Sequence, residues 1–344
     1  MKAAKVYSLN DVRVEDIPVP PIGPDEALVR MKACGICGSD TMDWYVKKKA
    51  PFYLGHEPAG VIEKVGREVK YFKAGDRVFV HHHAPCFDCK HCRRKQYSLC
   101  PTWKASQIDP GGMAEFFRVP AVNLRGDTLK LPDALSFEDG ALVEPVACVV
   151  KSLRKTGWQR EDTLLVIGLG VMGQMHILLA RHAGMRQIVG ADWVPYRLNK
   201  AREFGADAAV NVQSENLIEK VSDATNGQLA DVVIVGPGTT AAMQQGIACA
   251  AKGGTVMFFT PAPDDAMLNI NPFHLYFNEI NLVSSYSCGP DDTAEALALI
   301  EAGVITAKKL VTHRYALENI QAAIANVVRT NDSLKTMVVT EQWV

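Results

Sequence analysis

The sequence predicts an α/β protein of two domains, a β-rich and irregular first part followed by a doubly wound parallel sheet. Three observations carry this reading. The chain has 344 residues, enough for two domains at roughly 150 residues each. From residue 163 onward short apolar runs alternate with helical ones, the pattern of strands joined by crossover helices. Before residue 148 the runs are short and broken by Gly and Pro, and cysteines crowd into one stretch.

Pro18, Pro20, Pro21 and Pro24 make an extended, non-helical lead-in. Residues 25–32, 60–69 and 76–80 alternate as half-buried strands, with Gly66 and Gly75 as turn residues. A buried strand is expected at 163–167. The turn from Gly168 to Gly173 then opens an apolar helix that ends near Gly184, and a strand follows at 187–191. Pro195 sits in the first turn of a helix reaching Phe204. Further strands are expected at 232–235, 255–259 and 280–284, and helices near 216–225, 239–251 and 292–302. The last fifty residues do not extend this sheet and are expected to return to the first domain.

Lys plus Arg is 37 and Asp plus Glu is 38, a net charge of −1. That balance argues against a nucleic-acid partner, which needs clustered positive charge. No run approaches 18 apolar residues, and the N-terminus has no apolar segment of the signal-peptide kind, so a soluble, cytoplasmic protein without membrane contact is expected.

Four of the nine cysteines, Cys86, Cys89, Cys92 and Cys100, form a C-x2-C-x2-C-x7-C array. Four thiolates at this spacing suit a tetrahedral Zn²⁺ in a closed structural site. Charged neighbours (Asp88, Lys90, His91, Arg93, Arg94, Lys95) argue against four merely packed thiols. An iron–sulfur cluster uses the same donors and ranks below zinc because the rest of the chain reads as hydride chemistry. A second set is spread out: Cys37, then His56-Glu57, then Glu144. One Cys, one His and one or two carboxylates are the donors of a catalytic zinc with an open position. A redox pair of Cys34 and Cys37 is the competing reading, since C-x-x-C can cycle. His81, His82 and His83, taken as a continuing strand, point to alternate faces and cannot all converge on one ion; they are expected to be scaffold.

Gly168-Leu169-Gly170-Val171-Met172-Gly173 is a G-x-G-x-x-G turn after a strand and opening a helix. The first glycine permits the turn, the second lets backbone approach a pyrophosphate, and the third allows close packing. Asp192 closes the next strand, where a carboxylate bonds ribose hydroxyls and repels a 2′-phosphate, so NAD is expected over NADP. Arg197, five residues on, is the one group there suited to a phosphate.

In order and spacing, Gly-Ile-Cys37-Gly-Ser39-Asp40, Gly-His56-Glu57-Pro-Ala-Gly, Gly75-Asp76-Arg-Val78, the four-cysteine lobe, Glu144-Pro145 and the glycine turn together resemble the medium-chain zinc-dependent alcohol and polyol dehydrogenases, closest to their sorbitol, iditol and threonine dehydrogenase branch. The resemblance spans nearly the whole chain. It implies a GroES-like catalytic domain of residues 1–148 and 290–344, with a zinc lobe at about 84–101. It also implies a Rossmann domain at 149–289 and an active site in the cleft between them. It makes Cys37 and His56 ligands of a catalytic zinc, with Glu57 or Glu144 as the third, so that each chain holds two zinc ions and NAD. Zinc would polarise the substrate alcohol and hydride would pass to NAD. Ser39 matches the residue that takes the hydroxyl proton. Many relatives carry a His three residues further on, where this chain has Met42. A polyol, cyclitol or sugar secondary alcohol is the expected substrate. Trp44, Trp103, Phe52 and Tyr286 are candidate pocket walls, and residues 284–287 are a source of hydroxyls. Alternatives are a simple secondary-alcohol or threonine-type dehydrogenase, or a non-catalytic nicotinamide-binding relative. Such proteins are homodimers or homotetramers, here expected to join through the strand at 280–284.

Overall fold

The computed structural model describes residues 1–329 and 332–340. The chain divides into two compact units, one of Met1–Ala147 with the segment from Ser287 on, the other of Cys148–Tyr286.

The first unit is built on a seven-stranded sheet. Strand Ala27–Gly35 is its centre, buried along most of its length and antiparallel to Pro58–Val65, Phe116–Val119 and the returning Lys335–Val339. Val29, Met31, Ile62, Val78, Phe117 and Val338 pack its core, with β-branched and aromatic residues fitting the pleated surface. The strand expected at 25–32 runs on to Gly35, which carries the chain to the site. The one expected at 60–69 begins at Pro58 and stops at Val65.

The second unit is a six-stranded parallel sheet. Along the sheet its strands lie in the order Ala208–Asn211, Gln187–Asp192, Thr163–Ile167, Ala230–Val235, Ala250–Phe258, Asn281–Ser284, or 3-2-1-4-5-6 by position in the unit. The order reverses beside Thr163–Ile167, and ligands of doubly wound sheets bind at the carboxyl ends of strands at such a switch point. Helices Val171–Ala183, Pro195–Glu203, Leu217–Ala224 and Thr240–Ala248 follow the strands. Asn216 and Thr239 cap two of them by accepting first-turn N–H groups. Strand Ala208–Asn211 and helix Pro272–Asn278 are additional to the expected elements. Ala208-Ala-Val-Asn has too little β propensity to stand out. The helix did carry a readable start, with the Asn271 side chain accepting from Phe273 and His274 and Pro272 following it. Among the described residues no helix is long and apolar enough to cross a membrane.

Candidate active site and metal centres

The lobe of Cys86, Cys89, Cys92 and Cys100 folds around its own thiols. Their sulfurs stand 3.6 Å (Cys89–Cys92), 3.6 Å (Cys86–Cys100) and 3.9 Å (Cys86–Cys92) apart. Zn–S bonds of about 2.3 Å at tetrahedral angles require sulfurs about 3.8 Å apart, so the donors fit the ion. Backbone N–H groups of Cys86 and Cys89 point at Cys100 and Cys86 sulfurs, each at 3.4 Å. The N–H groups of Asp88 and Cys89 lower the Cys86 thiol to about 6, while burial and the neighbouring thiols push Cys92 up to about 12. Trp103, expected as a pocket wall, is instead the buried core of this lobe, packed with Cys92 and Cys100. Phe52 pairs with Val6 in a short strand and packs, partly buried, against the main core.

The second centre is assembled by strand register. Cys34 lies opposite both Pro58 and Val338, and Gly35 opposite Met337. The residues just beyond these ends, Cys37, His56 and Glu57, therefore meet, and their ligand atoms lie within 4.8 Å of one another. A thiolate, an imidazole and a carboxylate, three donors rather than four, fit a catalytic zinc. Asp40, on the turn Gly38–Thr41, accepts the Cys37 N–H at 3.0 Å and lies 3.6 Å from His56 Nδ1, a carboxylate beside a candidate ligand histidine. Burial alone would lower the His56 imidazole, but Asp40, Cys37 and Glu144 raise it well above its usual value. Ser39 sits half-buried on the same turn, between Cys37 and Asp40.

Glu57 is fully buried and ion-paired with Lys335, itself 1% exposed. Lys335 also donates to the Ile36 carbonyl at 3.0 Å. Burial alone would lower Lys335, but Glu57 first and then Cys37 raise it. Gly35 makes the pair sterically possible, because a Cβ there would lie 1.8 Å from Glu57 Oε2 and 2.6 Å from Lys335 Cε. Sequence reasoning missed Lys335. The signal was a lysine opening the otherwise apolar strand Lys-Thr-Met-Val-Val, whose first four residues are buried. Asp40 had been read only as part of a motif.

Glu144 opens helix Val143–Lys155 and is buried. Burial raises its carboxyl, with His56 and His81 opposing. Its carboxylate lies within 4.8 Å of His81 and His82 ring nitrogens rather than in the Cys37 group. The strand assumed for the three histidines ends at Val80, so alternation no longer governs them and two of the three turn toward Glu144. His83 goes elsewhere, bonding the Ser106 carbonyl and packing tilted against Trp103, ring centroids 4.1 Å apart.

In the second unit the glycine turn opens helix Val171–Ala183 with Gly170 as its N-cap. Val171, Met172 and Gly173 form its first turn, whose N–H groups suit an anion. A Cβ at Gly173 would lie 2.1 Å from the Gly168 carbonyl. The Asp192 carboxylate accepts the N–H of Leu169 at 2.7 Å, Trp193 at 2.7 Å and Val194 at 2.9 Å, which ties the end of its strand to the glycine turn. Arg197 lies 3.7 Å from Asp192. Trp44 is half-buried in the first unit; Tyr286 ends the second unit and is 57% exposed. Ser285 and Ser287 have buried hydroxyls without hydrogen-bond partners.

A closed four-thiolate lobe, an open Cys–His–Glu centre and a glycine turn at the switch point of a parallel sheet define a zinc-dependent oxidoreductase. Residues 23–133 match the alcohol dehydrogenase GroES-like domain and residues 171–302 the zinc-binding dehydrogenase domain. The chain is 33% identical to sorbitol dehydrogenase of Bacillus subtilis over 98% of its own length and 97% of the relative's. Its fold matches 2R,3R-butanediol dehydrogenase of Bacillus subtilis, with TM-score 0.86 and 26% identity over 99% of both chains. It also matches a zinc-binding dehydrogenase of Sinorhizobium meliloti bound to NADP, with TM-score 0.88 and 27% identity over 98% and 99%. The chain belongs to the medium-chain zinc-dependent alcohol and polyol dehydrogenases.

Proposed function

We propose that this dehydrogenase reversibly oxidises a secondary hydroxyl of a polyol, cyclitol or sugar to the ketone, with NAD as hydride acceptor. The observation that carries the reading is the Cys37–His56–Glu57 centre, whose buried carboxylate has its own counter-ion in Lys335. Cys37, His56 and Glu57 would hold the catalytic zinc, with Glu144 facing it from the helix start, and Cys86, Cys89, Cys92 and Cys100 the structural one. Bound zinc supplies Lewis acidity to the substrate oxygen. Bound dinucleotide supplies the hydride acceptor at C4 of its nicotinamide. Ser39 takes the hydroxyl proton, Asp40 holds His56 in place, and the first turn of helix Val171–Ala183 receives the pyrophosphate. The Asp192 carboxylate at the end of its strand supports NAD over NADP, although one structural neighbour binds NADP. The names of the curated relatives support a polyol substrate.

Thiolate centres of this kind require reduced cysteines, which supports a cytoplasmic location. A homo-oligomer is supported by the edge strand Asn281–Ser284 and the adjoining helix Pro272–Asn278, where Phe273, Tyr276 and Phe277 are all more than 60% exposed. Kinetics with NAD and NADP across polyols, threonine and simple secondary alcohols test the proposal. Turnover confined to simple alcohols rejects the polyol reading, and a preference for NADP rejects the role of Asp192.

A further inference from the structure

The three consecutive histidines have three different fates. His81 spends both ring nitrogens inside the fold, Nδ1 on Asp127 Oδ2 at 2.7 Å and Nε2 beside Cys288 Sγ at 3.6 Å. Asp127 is in turn held by the Thr293 hydroxyl at 2.5 Å. His83 is bonded to the Ser106 carbonyl. His82 is different. Its Nδ1 is buried and has no hydrogen-bond partner, while its ring centroid lies 5.2 Å from that of His56 and a ring nitrogen lies within 4.8 Å of the Glu144 carboxylate.

The placement is rigid. The buried Asn123 side chain donates to both the His81 and His82 carbonyls, at 3.1 and 2.9 Å, so the backbone under the ring is clamped. A buried polar atom left without a partner costs about 1–3 kcal/mol, and such atoms in native proteins mark places where something else supplies the partner. A ring carried on a clamped backbone beside a candidate zinc ligand, with one nitrogen unpartnered, is suited to be a recognition group.

The surroundings select what it recognises. Glu144 and Asp40 place carboxylates in the same region and Glu57 already has Lys335 as its partner, which favours a neutral ligand over a carboxylate or phosphate group. A neutral imidazole offers one donor and one acceptor, the complement of a hydroxyl. A metal ion shared by His81, His82 and Glu144 is disfavoured because both His81 nitrogens are already engaged. We propose that His82 Nδ1 hydrogen-bonds a second substrate hydroxyl, on the carbon next to the one being oxidised, and so selects vicinal diols. This assigns a role to a residue expected to be scaffold, and it rests on the polyol reading above.

The test uses the zinc-loaded enzyme with NAD, comparing wild type with His82→Phe and His82→Asn on sorbitol and on 2-propanol. The expected result is a fall of about 20- to 100-fold in the ratio of the two kcat/KM values for His82→Phe, most of it in the KM for sorbitol. His82→Asn, which keeps a hydrogen-bonding amide, recovers part of the ratio. Calorimetric binding of sorbitol to the holoenzyme weakens by a similar factor, and zinc stays at two per chain. A ratio within threefold of wild type in both variants overturns the assignment. So does a loss of zinc on substitution, or a third zinc in wild type that both variants lack, since either makes His82 a metal residue. A wild-type enzyme that does not prefer sorbitol to 2-propanol overturns the polyol reading and this inference with it; an intact wild-type preference that survives substitution overturns the inference alone.

Discussion

Cys86, Cys89, Cys92 and Cys100 come from one short stretch, whereas Cys37, His56, Glu57 and Lys335 are drawn from three segments nearly spanning the chain. The lobe closes on itself, with four donors of one kind, backbone N–H groups on the sulfurs and basic residues nearby in sequence. The open centre depends on the main sheet. Strand register brings its donors together, a bare glycine makes space, and a lysine from the far end of the chain balances a buried carboxylate. The lobe can thus fail without the sheet failing, but the open centre inherits every error in the sheet.

Substituting each centre in turn is the strongest way to break this contrast. His56→Ala is expected to lower kcat/KM by about 10⁴-fold or more, through loss of Lewis-acid assistance worth several kcal/mol, with zinc falling from two to one and the melting temperature little changed. Cys92→Ser also leaves one zinc, but its main effect is on melting temperature, and activity is expected to fall with the folded fraction. If the two variants show the same profile in metal analysis and thermal melts, the two centres are not independent.

Ser39→Ala separates proton transfer from metal binding. Turnover should fall about 10²- to 10³-fold while both zinc ions stay bound. Undiminished turnover would remove Ser39 from the relay and leave the proton route to Asp43 or solvent, since Met42 can carry none.

In the zinc-free protein, Lys335→Met leaves Glu57 buried without its counter-ion and is expected to cost about 3–5 kcal/mol in denaturant unfolding. Lys335→Arg should recover part of this, and Glu57→Gln combined with Lys335→Met should cost less than the lysine change alone. Additive effects in that cycle would show that the pair is not coupled.

The smallest expected effect lies outside both centres. Burial lowers His176 to about 4, with the Met172 carbonyl on its Nδ1 opposing, and Ser152 Oγ lies 2.7 Å from its Nε2. Below its ordinary value of 6.5 the unfolded chain takes up a proton that the native ring refuses. Stability is therefore whole above pH 6.5 and declines as pH falls toward 4, by up to about 3 kcal/mol from this group. Urea unfolding across that range should show a shallower decline in His176→Gln, and an identical slope would exclude His176 as the source.

What could be read from the sequence follows the same division. The four-cysteine spacing and the glycine turn are local, so ligand count and helix start were legible without knowing the fold. The βα alternation from Thr163 on was legible because most of its strands are short apolar runs followed by an amphipathic or apolar helix, whereas Ala208–Asn211 is too weakly apolar to stand out. The donor types of the open centre could be read from Cys37, His56-Glu57 and Glu144 and were sharpened by the resemblance. Its counter-ion could not be read, because neither spacing nor periodicity links Glu57 to Lys335. The orientation of the three histidines was misjudged for a local reason: the strand was assumed to continue, and it ends at Val80. Trp103 was misplaced because a large aromatic reads alike whether it walls a pocket or fills the core of a small lobe.

The missing side chain at Gly35 has consequences for how the protein can change. Since Glu57 Oε2 occupies the space where a Cβ would stand, positions 35, 57 and 335 are epistatic. Any side chain at 35 must displace the carboxylate, and shortening either charged partner strands the other. Libraries that vary these positions singly will find most changes costly, and joint variation of all three is the route to a differently balanced centre.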